Sequence, residues 1–323
     1  MNANKDSSVE NGWVRRSRIK RERLIGGGTA FALVLMAIYS PIDTRVRATP
    51  LANSKTTNSL NSNGRERTEN SVEASGSAAS NGAESHPLGP ALALARDSLE
   101  HLRSNVKDYS ALLIKRERIN GKVGDHQFLD AKIRNRKKVD GRIVTPRSVY
   151  LRFRKPKSSA GREVIWVEGQ NGGKLVAHEG GFKNLLTVWL KPENPFAMFG
   201  QRYPISEIGI ENLIEKLIEK GEADMQHAEC KVQIAKGAKV GDRICTMIQV
   251  DHPERRPYFE FSRSRIFIDE EHQLPIRYAA WSWPTEAGGE LVLEEEYTYS
   301  QLRINVGLTD GDFSPKNSAY NYP

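Results

Sequence analysis

An uncharged stretch over residues 24–42 constrains this chain of 323 residues more than any other feature. It directly follows a basic cluster made of Arg15, Arg16, Arg18, Lys20, Arg21 and Arg23. Apolar segments with a basic flank insert so that the flank stays in the cytoplasm. The pattern therefore predicts a basic cytoplasmic tail over residues 1–23 and export of the chain that follows residue 42.

A basic flank followed by an apolar segment fits two roles, a membrane anchor and a cleaved signal. Residues 24–42 are long enough for a transmembrane helix, which would make a single-pass inner-membrane anchor with a periplasmic C-terminal domain. A cleaved secretory signal needs a shorter apolar run and small residues at the cut, and residues 30–39 followed by Val46, Arg47 and Ala48 fit cleavage after Ala48. The anchor is the favoured interpretation, and the cleaved signal is the alternative.

The rest of the chain divides by composition. Residues 43–87 are rich in Ser, Asn, Thr, Ala and Gly, and such a segment buries too little apolar surface to offset its ordering entropy. We expect a disordered linker there. About 230 residues remain, a usual size for one domain, which we place at residues 88–313 with a C-terminal tail at 314–323.

The net charge of +8 is unevenly distributed. Residues 1–47 hold nine cations against four carboxylates, and residues 115–157 hold fifteen against four. On an exported domain a basic surface is expected to meet anionic lipid, an acidic polymer or an acidic partner, and no nucleic acid. The candidate contact is one face of a strand over residues 131–139 that carries Lys132, Arg134, Arg136 and Lys138. A charged strand that prevents aggregation is the commoner explanation.

The two cysteines lie in alternating segments separated by Gly237 and Gly241. If a hairpin turns near Gly237, Cys230 and Cys245 face each other across the strands, and an exported protein permits a disulfide. Two buried free thiols are the alternative.

Helical and strand periodicities predict an α+β fold. Apolar residues recur every three or four positions over residues 89–106, and a second helix begins at Ser206 and ends at Gly221. Apolar and polar residues alternate over most of the remainder. So many consecutive strands predict a strongly curved antiparallel sheet, or half-barrel, with the helices on its concave side. The predicted strands are 109–119, 127–139, 147–154, 162–168, 173–178, 185–190, 228–235, 243–251, 258–268, 275–283 and 290–304.

Aromatic side chains on these strands could line a ligand cavity. Ordinary core packing explains them as well, because aromatics commonly dominate cores. The candidate cavity residues are Phe153, Trp166, Trp189, Phe261, Trp281 and Trp283.

The sequence carries no recognised catalytic motif. Seven scattered histidines show no zinc spacing, so we expect neither a metal nor a cofactor. Glu294, Glu295 and Glu296 with Asp251 and His252 offer the chemistry of a hydrolase, and Glu295 would face the side opposite to its neighbours. An inward carboxyl would have a raised pKa, but charged side chains are rarely buried, so we expect surface positions and no catalytic residues.

Several segments resemble known families. Residues 266–277 read IFIDEEHQLPIR and resemble paired strands of periplasmic lipoprotein carriers of the LolA/LolB type. Four others resemble a bacterial envelope family of unknown function (DUF1571-like), usually grouped with that carrier fold. They are GGFKNLLTVWL at 180–190, RYPI at 202–205, WSWP at 281–284 and NVGLTDGDF at 305–313. The resemblance implies a half-barrel around helices, with an apolar interior that takes an acyl chain and no established catalytic residues.

These observations together predict a membrane-tethered envelope protein that binds a hydrophobic or lipidated ligand without catalysis. The first alternative is an envelope interaction module that contacts an acidic partner through its basic strand. The second, less favoured, is a hydrolase that uses inward carboxylates.

Overall fold

A computed structural model describes residues 86–181, 186–227 and 229–323 of the chain. The predicted cytoplasmic tail, the predicted membrane segment and nearly all of the predicted linker lie outside these residues. Within the described residues, no helix combines the length and the apolar character needed to cross a membrane.

An antiparallel sheet dominates the fold. Along it the strands follow the order β10-β11-β12-β13-β14-β1-β3-β6-β7-β8-β9, β2 pairs with β1, and β4 and β5 form a separate hairpin. The strands are β1 Asp108–Ile119, β2 Lys122–Val123, β3 Gln127–Arg134, β4 Lys137–Val139, β5 Arg142–Thr145, β6 Ser148–Lys155, β7 Glu163–Val167, β8 Leu175–His178, β9 Thr187–Leu190, β10 Lys231–Val240, β11 Arg243–Asp251, β12 Arg263–Asp269, β13 Leu274–Ser282 and β14 Val292–Ile304.

The sheet is open, because β9 and β10 occupy its two ends and have no path that joins them. Irregular register interrupts the pairing of β1 with β14, β3 with β6, β10 with β11, β12 with β13, and β13 with β14. Bulges of this kind bend strands and increase their twist. The predicted α+β class with a largely antiparallel sheet and two helices is confirmed.

Two helices cover one face of the sheet. Helix α1 spans Gly89–Asn105, as its spacing predicts, and α2 spans Ile210–Asp224. The predicted limits of α2 are wrong at both ends. Ser206 lies in a short 3-10 turn, and the helix begins after Gly209, whose φ of 135° an L side chain rarely adopts. Gly221 lies inside the helix, where a Cβ would come within 2.7 Å of Leu92 on α1.

The strand predicted over residues 131–139 is divided. β3 ends at Arg134, and the β4–β5 hairpin begins at Lys137. The pairing with β1 ends at Asn135, whose backbone N–H donates to the carbonyl of Lys107 and whose side-chain amide donates to the carbonyl of Val106, each at 2.9 Å. The four predicted cations therefore do not share one strand.

The sheet has a core on each face. The larger core lies between the helices and the sheet. The smaller core, on the outer face, joins Tyr150, Ile165, Val167 and Val176 to Phe313. The predicted C-terminal tail closes this second core, since Tyr320 stacks on Tyr150 with ring centroids 4.2 Å apart. Residues 314–323 are thus an integral part of the outer face.

Candidate ligand-binding site

The helix-covered face of the sheet changes from apolar to charged along the central strand β1. On β1 the inward side chains are Tyr109, Ala111 and Leu113, followed by Lys115 and Glu117. Alternation alone places these odd-numbered residues on one face. The same face of the sheet therefore offers an apolar floor at one end and buried charges at the other.

Helix α2 is held over this floor by buried hydrogen bonds. The N–H of Ile210, in the first turn of α2, donates to the hydroxyl of Tyr109 at 2.8 Å. Arg147 donates to the carbonyl of Ile208 and to the side chain of Asn212. On the solvent side, Arg103 of α1 pairs with Glu211 of α2 at 2.9 Å. The bonds of Tyr109 and Arg147 hold α2 against the sheet, and the pair of Arg103 with Glu211 holds the two helices together.

An inner cavity of about 180 Å³ remains between both helices and the β11–β13 end of the sheet. Its walls are largely apolar. Leu92, Ala95 and Leu217 contribute from the helices, and Val250, Phe261 and Ile266 contribute from the sheet side. An apolar compartment between the helices and the sheet is suited to an apolar group of a ligand.

An outer cavity of about 370 Å³ adjoins the inner one beneath α2. Five residues line both cavities: Leu217, Lys220, Ala223, Glu260 and Tyr278. Lys220 forms an ion pair with Glu260 at this shared boundary, and burial lowers the pKa of the Lys220 ammonium. The outer cavity is more polar than the inner one, because it includes Glu295 and tyrosine hydroxyls.

A buried ionic cluster underlies the outer cavity. Lys115 donates to Glu117 at 3.0 Å, and the hydroxyl of Tyr297 donates to the same carboxylate at 2.5 Å. Glu295, which lies opposite Glu117 on the neighbouring strand, pairs with Arg202 at 2.8 Å and accepts a hydrogen bond from Tyr203 at 3.2 Å. Each buried carboxylate thus has a cationic and a phenolic partner.

Glu295 does not occupy the surface position that its charge predicts. Its side chain is 2% exposed, and burial raises the pKa of its carboxyl despite the opposing charge of Arg202. The inward orientation relative to Glu294 and Glu296 follows from strand alternation. The compensating Arg202 is 93 positions away in sequence, so no local pattern could signal it.

The raised pKa of Glu295 predicts a pH dependence of stability. A folded-state pKa above the unfolded value gives stability that is complete below the unfolded value of 4.5 and is lost as pH rises through the folded pKa. Glu295→Gln should remove this loss. We therefore expect the free energy of unfolding of the variant to improve, relative to the unmodified chain, as the pH of the urea titration rises from 4.5. Glu296→Gln, on the outer face of the same strand, controls for the loss of a carboxylate, and a flat difference for Glu295→Gln would contradict the prediction.

The six candidate cavity aromatics are separated in the structure. Phe261 lines the inner cavity. Phe153 and Trp166 belong to the packing around the larger core, and Trp189 is 44% exposed. The walls of the inner and outer cavities do not include Trp281 or Trp283. The sequence did not identify the aliphatic helix residues Leu92, Ala95 and Leu217 as cavity residues, because their regular spacing also fits ordinary core packing.

The four candidate cations are mostly engaged within the domain. Lys132 pairs with Asp312 and Arg134 with Asp310, both at 2.7 Å, and Arg136 forms two bonds to Glu168. Lys138 is exposed on the β4–β5 hairpin. Two of these charges therefore attach the C-terminal segment to the outer face.

The predicted disulfide is absent, because Cys230 and Cys245 are separate buried thiols. Gly237 forms a bulge in β10, and the hairpin turns at Gly241 instead, so that Cys245 lies opposite Ala238. Cys230 is eight positions from Ala238, about 25 Å along a strand. A disulfide requires Cα atoms within about 7 Å. Burial raises the pKa of the Cys245 thiol to about 11.

The remaining predicted chemical groups are dispersed. Asp251 pairs with Arg263 at 2.6 Å, whereas the ring of His252 turns inward toward Asp224 at 3.4 Å. Glu294 contacts Arg118 at 2.7 Å. Among the residues that the structure describes, no group of three or more His, Cys, Asp or Glu is arranged to hold a metal ion.

A family model described as "Protein of unknown function (DUF1571)" matches residues 106–322. The chain belongs to the DUF1571 family. The matched range contains the whole sheet, helix α2 and almost all of the C-terminal segment, so the family region includes the smaller core, the ionic cluster and the part of the larger core that the sheet and α2 supply. Helix α1 precedes it. No curated protein matches this DUF1571 chain.

Several solved structures are similar to the DUF1571 chain at low identity. A DUF1329 family protein from Desulfovibrio piger is 13% identical, with a TM-score of 0.35, over 71% of this chain and 98% of that one. The lipoprotein LppX from Mycobacterium tuberculosis is 12% identical, with a TM-score of 0.36, over 68% and 98%. The MucA/MucB complex of Pseudomonas aeruginosa is 14% identical, with a TM-score of 0.37, over 68% and 60%. Likeness at this level carries no argument about function.

Proposed function

We propose that this DUF1571 chain binds a hydrophobic or lipidated ligand between its helices and its sheet, and performs no chemistry on that ligand. The sheet then acts as a carrier-like half-barrel, and the N-terminal segment holds the exported domain at the inner membrane. The inner cavity carries this proposal. Its apolar walls come from both helices and from three strands, so a ligand there would touch every layer of the larger core.

The cavity sizes support an extended ligand. The inner cavity slightly exceeds the roughly 150 Å³ apolar cavity that stays dry and binds benzene. The outer cavity falls within the range of about 300–1,000 Å³ usual for small-molecule sites. Because the two adjoin at Leu217 and Tyr278, an acyl chain in the inner cavity could continue into the outer one. Its polar end would then lie near Lys220 and Glu295.

One observation favours a hydrolase as the second candidate. Glu295 is an inward carboxylate beside a cavity, which is the arrangement that a general acid or base requires. Its oxygens, however, are engaged by Arg202 and Tyr203. A buried carboxylate with these two partners has a structural role. The fate of a bound ester distinguishes the two functions, because a binding protein releases the ester intact and a hydrolase cleaves it.

The interaction-module alternative receives less support from the structure. Its candidate surface required four cations on one strand, but β3 ends at Arg134, and three of the four cations have carboxylate partners in the domain. Arg136 and Lys138 keep exposed positions, but the Arg136 charge is paired with Glu168.

Filling the inner cavity tests the proposed function. Ala95 of α1 lines that cavity, whereas Ala93, two residues earlier, is exposed on the same helix. We expect Ala95→Trp to weaken binding of a dansyl-labelled fatty acid at least about tenfold, because the indole takes the space of the acyl chain and about 1.4 kcal/mol of apolar contact is lost. Ala93→Trp should bind like the unmodified chain. The measurement is dansyl fluorescence against protein concentration.

Equal affinity in Ala95→Trp and Ala93→Trp would place the fatty acid outside the inner cavity. Failure of the unmodified chain to bind any fatty acid of eight to eighteen carbons would contradict the proposed function itself. Circular dichroism of both variants verifies that the helices persist.

A further inference from the structure

The β4–β5 hairpin stands apart from the rest of the sheet. Its two strands pair only with each other, as Lys138 with Ile143 and Val139 with Arg142. The turn between them uses Asp140 and Gly141, both with positive φ, at 50° and 76°. Two such residues fit a tight hairpin turn. The hairpin is therefore a well-defined projection.

The tip of this projection exposes large aliphatic side chains. Val139, Ile143 and Val144 are 44%, 48% and 54% exposed, respectively. They lie within six residues of one another, in a segment where every residue from 137 to 144 is exposed. A cluster of this kind on a projecting element marks an interaction site more often than an isolated apolar residue does.

The distribution of these side chains between the two faces of the hairpin indicates the kind of partner. Paired residues share a face, so Ile143 lies beside Lys138, and Val139 lies beside Arg142. Val144, adjacent to Ile143, is the extra residue of a bulge between this pairing and that of Lys137 with Thr145. Both faces thus combine an aliphatic side chain with a cation. A protein surface would cover one face, whereas a lipid interface surrounds an inserted tip on all sides.

The charge of the hairpin complements an anionic interface. Lys137, Lys138 and Arg142 are exposed and outnumber the single carboxylate, that of Asp140. Long basic side chains can extend toward headgroups while the aliphatic groups enter the acyl boundary. Binding to such an interface increases with buried apolar area and with attraction to anionic lipid.

We propose that the β4–β5 hairpin inserts its tip into the surface of an anionic bilayer. This contact is separate from the inner and outer cavities and does not depend on the proposed ligand. It would orient the domain against a membrane at residues 137–145, independently of any attachment through the N-terminal segment.

Hydrogen–deuterium exchange of the full chain tests this contact locally. The chain is reconstituted with vesicles of phosphatidylcholine alone or of phosphatidylcholine and phosphatidylglycerol, and the exchange of peptides that cover residues 137–145 is compared. We expect slower exchange of this peptide on the anionic vesicles. Because the readout is confined to the hairpin, attachment elsewhere in the chain does not produce it.

Three variants and one matched hairpin sharpen the test. Ile143→Asp with Val144→Asp should abolish the protection, and each of Lys137→Gln and Lys138→Gln should lower it by about fivefold. The β10–β11 turn offers the control, since it also pairs an exposed Lys239 with an exposed Ile244. Ile244→Asp should leave the protection of residues 137–145 unchanged.

Three results would overturn the proposal. Equal protection on neutral and anionic vesicles would remove the role of the cations. Protection that grows with protein concentration without vesicles would identify a second copy of the chain as the partner. Unchanged exchange on both kinds of vesicle would show that the tip stays in water.

Discussion

Lys115→Met is expected to destabilise the domain by about 3–5 kcal/mol, the usual cost of removing one partner from a buried ion pair. The side chain of Lys115 is 3% exposed, and it donates to Glu117 at 3.0 Å. Without the ammonium, the carboxylate of Glu117 remains buried with only neutral donors, from Tyr297 and the backbone of Arg202. Urea denaturation followed by circular dichroism measures the change.

A double-mutant cycle separates this pair from its surroundings. Glu117→Gln keeps an acceptor for the hydroxyl of Tyr297, so Lys115→Met with Glu117→Gln should cost less than the sum of the single variants by at least about 1 kcal/mol. Arg154→Met, which breaks an exposed pair with Asp130, should cost no more than about 1 kcal/mol. Additive effects, or a cost for Lys115→Met as small as that of Arg154→Met, would contradict a buried charge pair beneath the outer cavity.

Ending the chain at Phe313 is the second change with a large expected effect, a loss of about 3–6 kcal/mol. It removes two half-buried tyrosines, Tyr320 and Tyr322, each contributing about 1–1.5 kcal/mol of apolar burial. It also removes Asn321, whose backbone N–H and side-chain amide donate to Glu163 at 3.2 and 3.3 Å. Glu163 is fully buried, and a buried acceptor without its donors costs about 1–3 kcal/mol more.

Thermal unfolding measures this second change. Removal of Pro323 alone serves as the control, since that residue is exposed, and it should leave the midpoint of unfolding unchanged. Tyr320→Phe should have an intermediate effect, because it keeps the stack on Tyr150 and loses the hydroxyl bonds to Lys132 and Asp312. A midpoint unaffected by truncation at Phe313 would mean that residues 314–323 are the tail that their composition suggests.

The periodicity of apolar residues correctly predicted the features that depend on neighbouring residues in the sequence. The apolar spacing of residues 89–106 locates α1 to within a residue, because a helix that lies on a sheet needs a continuous stripe. Strand alternation in β14 correctly predicts that the side chain of Glu295 lies on the face opposite to those of Glu294 and Glu296. The fold class follows from the same local patterns, together with the short connections between strands.

Long-range contacts decided the features that sequence did not predict. Burial of Glu295 depends on Arg202, and the pairing of β3 with β1 ends at Asn135, which contacts Val106. The start of α2 depends on Tyr109, which receives the N–H of Ile210 across a separation of 101 positions. Local spacing does not encode contacts between residues so far apart in sequence. The residues that line the cavities therefore could not be told apart, from the sequence alone, from other apolar residues with the same spacing.

The position of a single bulge explains the wrong disulfide prediction. Both Gly237 and Gly241 can adopt the positive φ that a hairpin turn requires, and sequence does not rank them. The structure uses Gly241 for the turn and Gly237 for the bulge. A hairpin that turned four residues earlier would have placed the two thiols in register, which shows how strongly strand pairing depends on the turn.

Native mass spectrometry of the full chain, purified from a bacterial envelope without added lipid, tests the binding function most directly. The proposal predicts a fraction of the unmodified chain carrying one intact acyl-bearing molecule, the same adduct on Ala93→Trp, and none on Ala95→Trp. An adduct of equal occupancy on Ala95→Trp would place the ligand outside the inner cavity. A chain that carries no adduct and takes up none from added fatty acid would contradict the central claim that the space between helices and sheet is a ligand site.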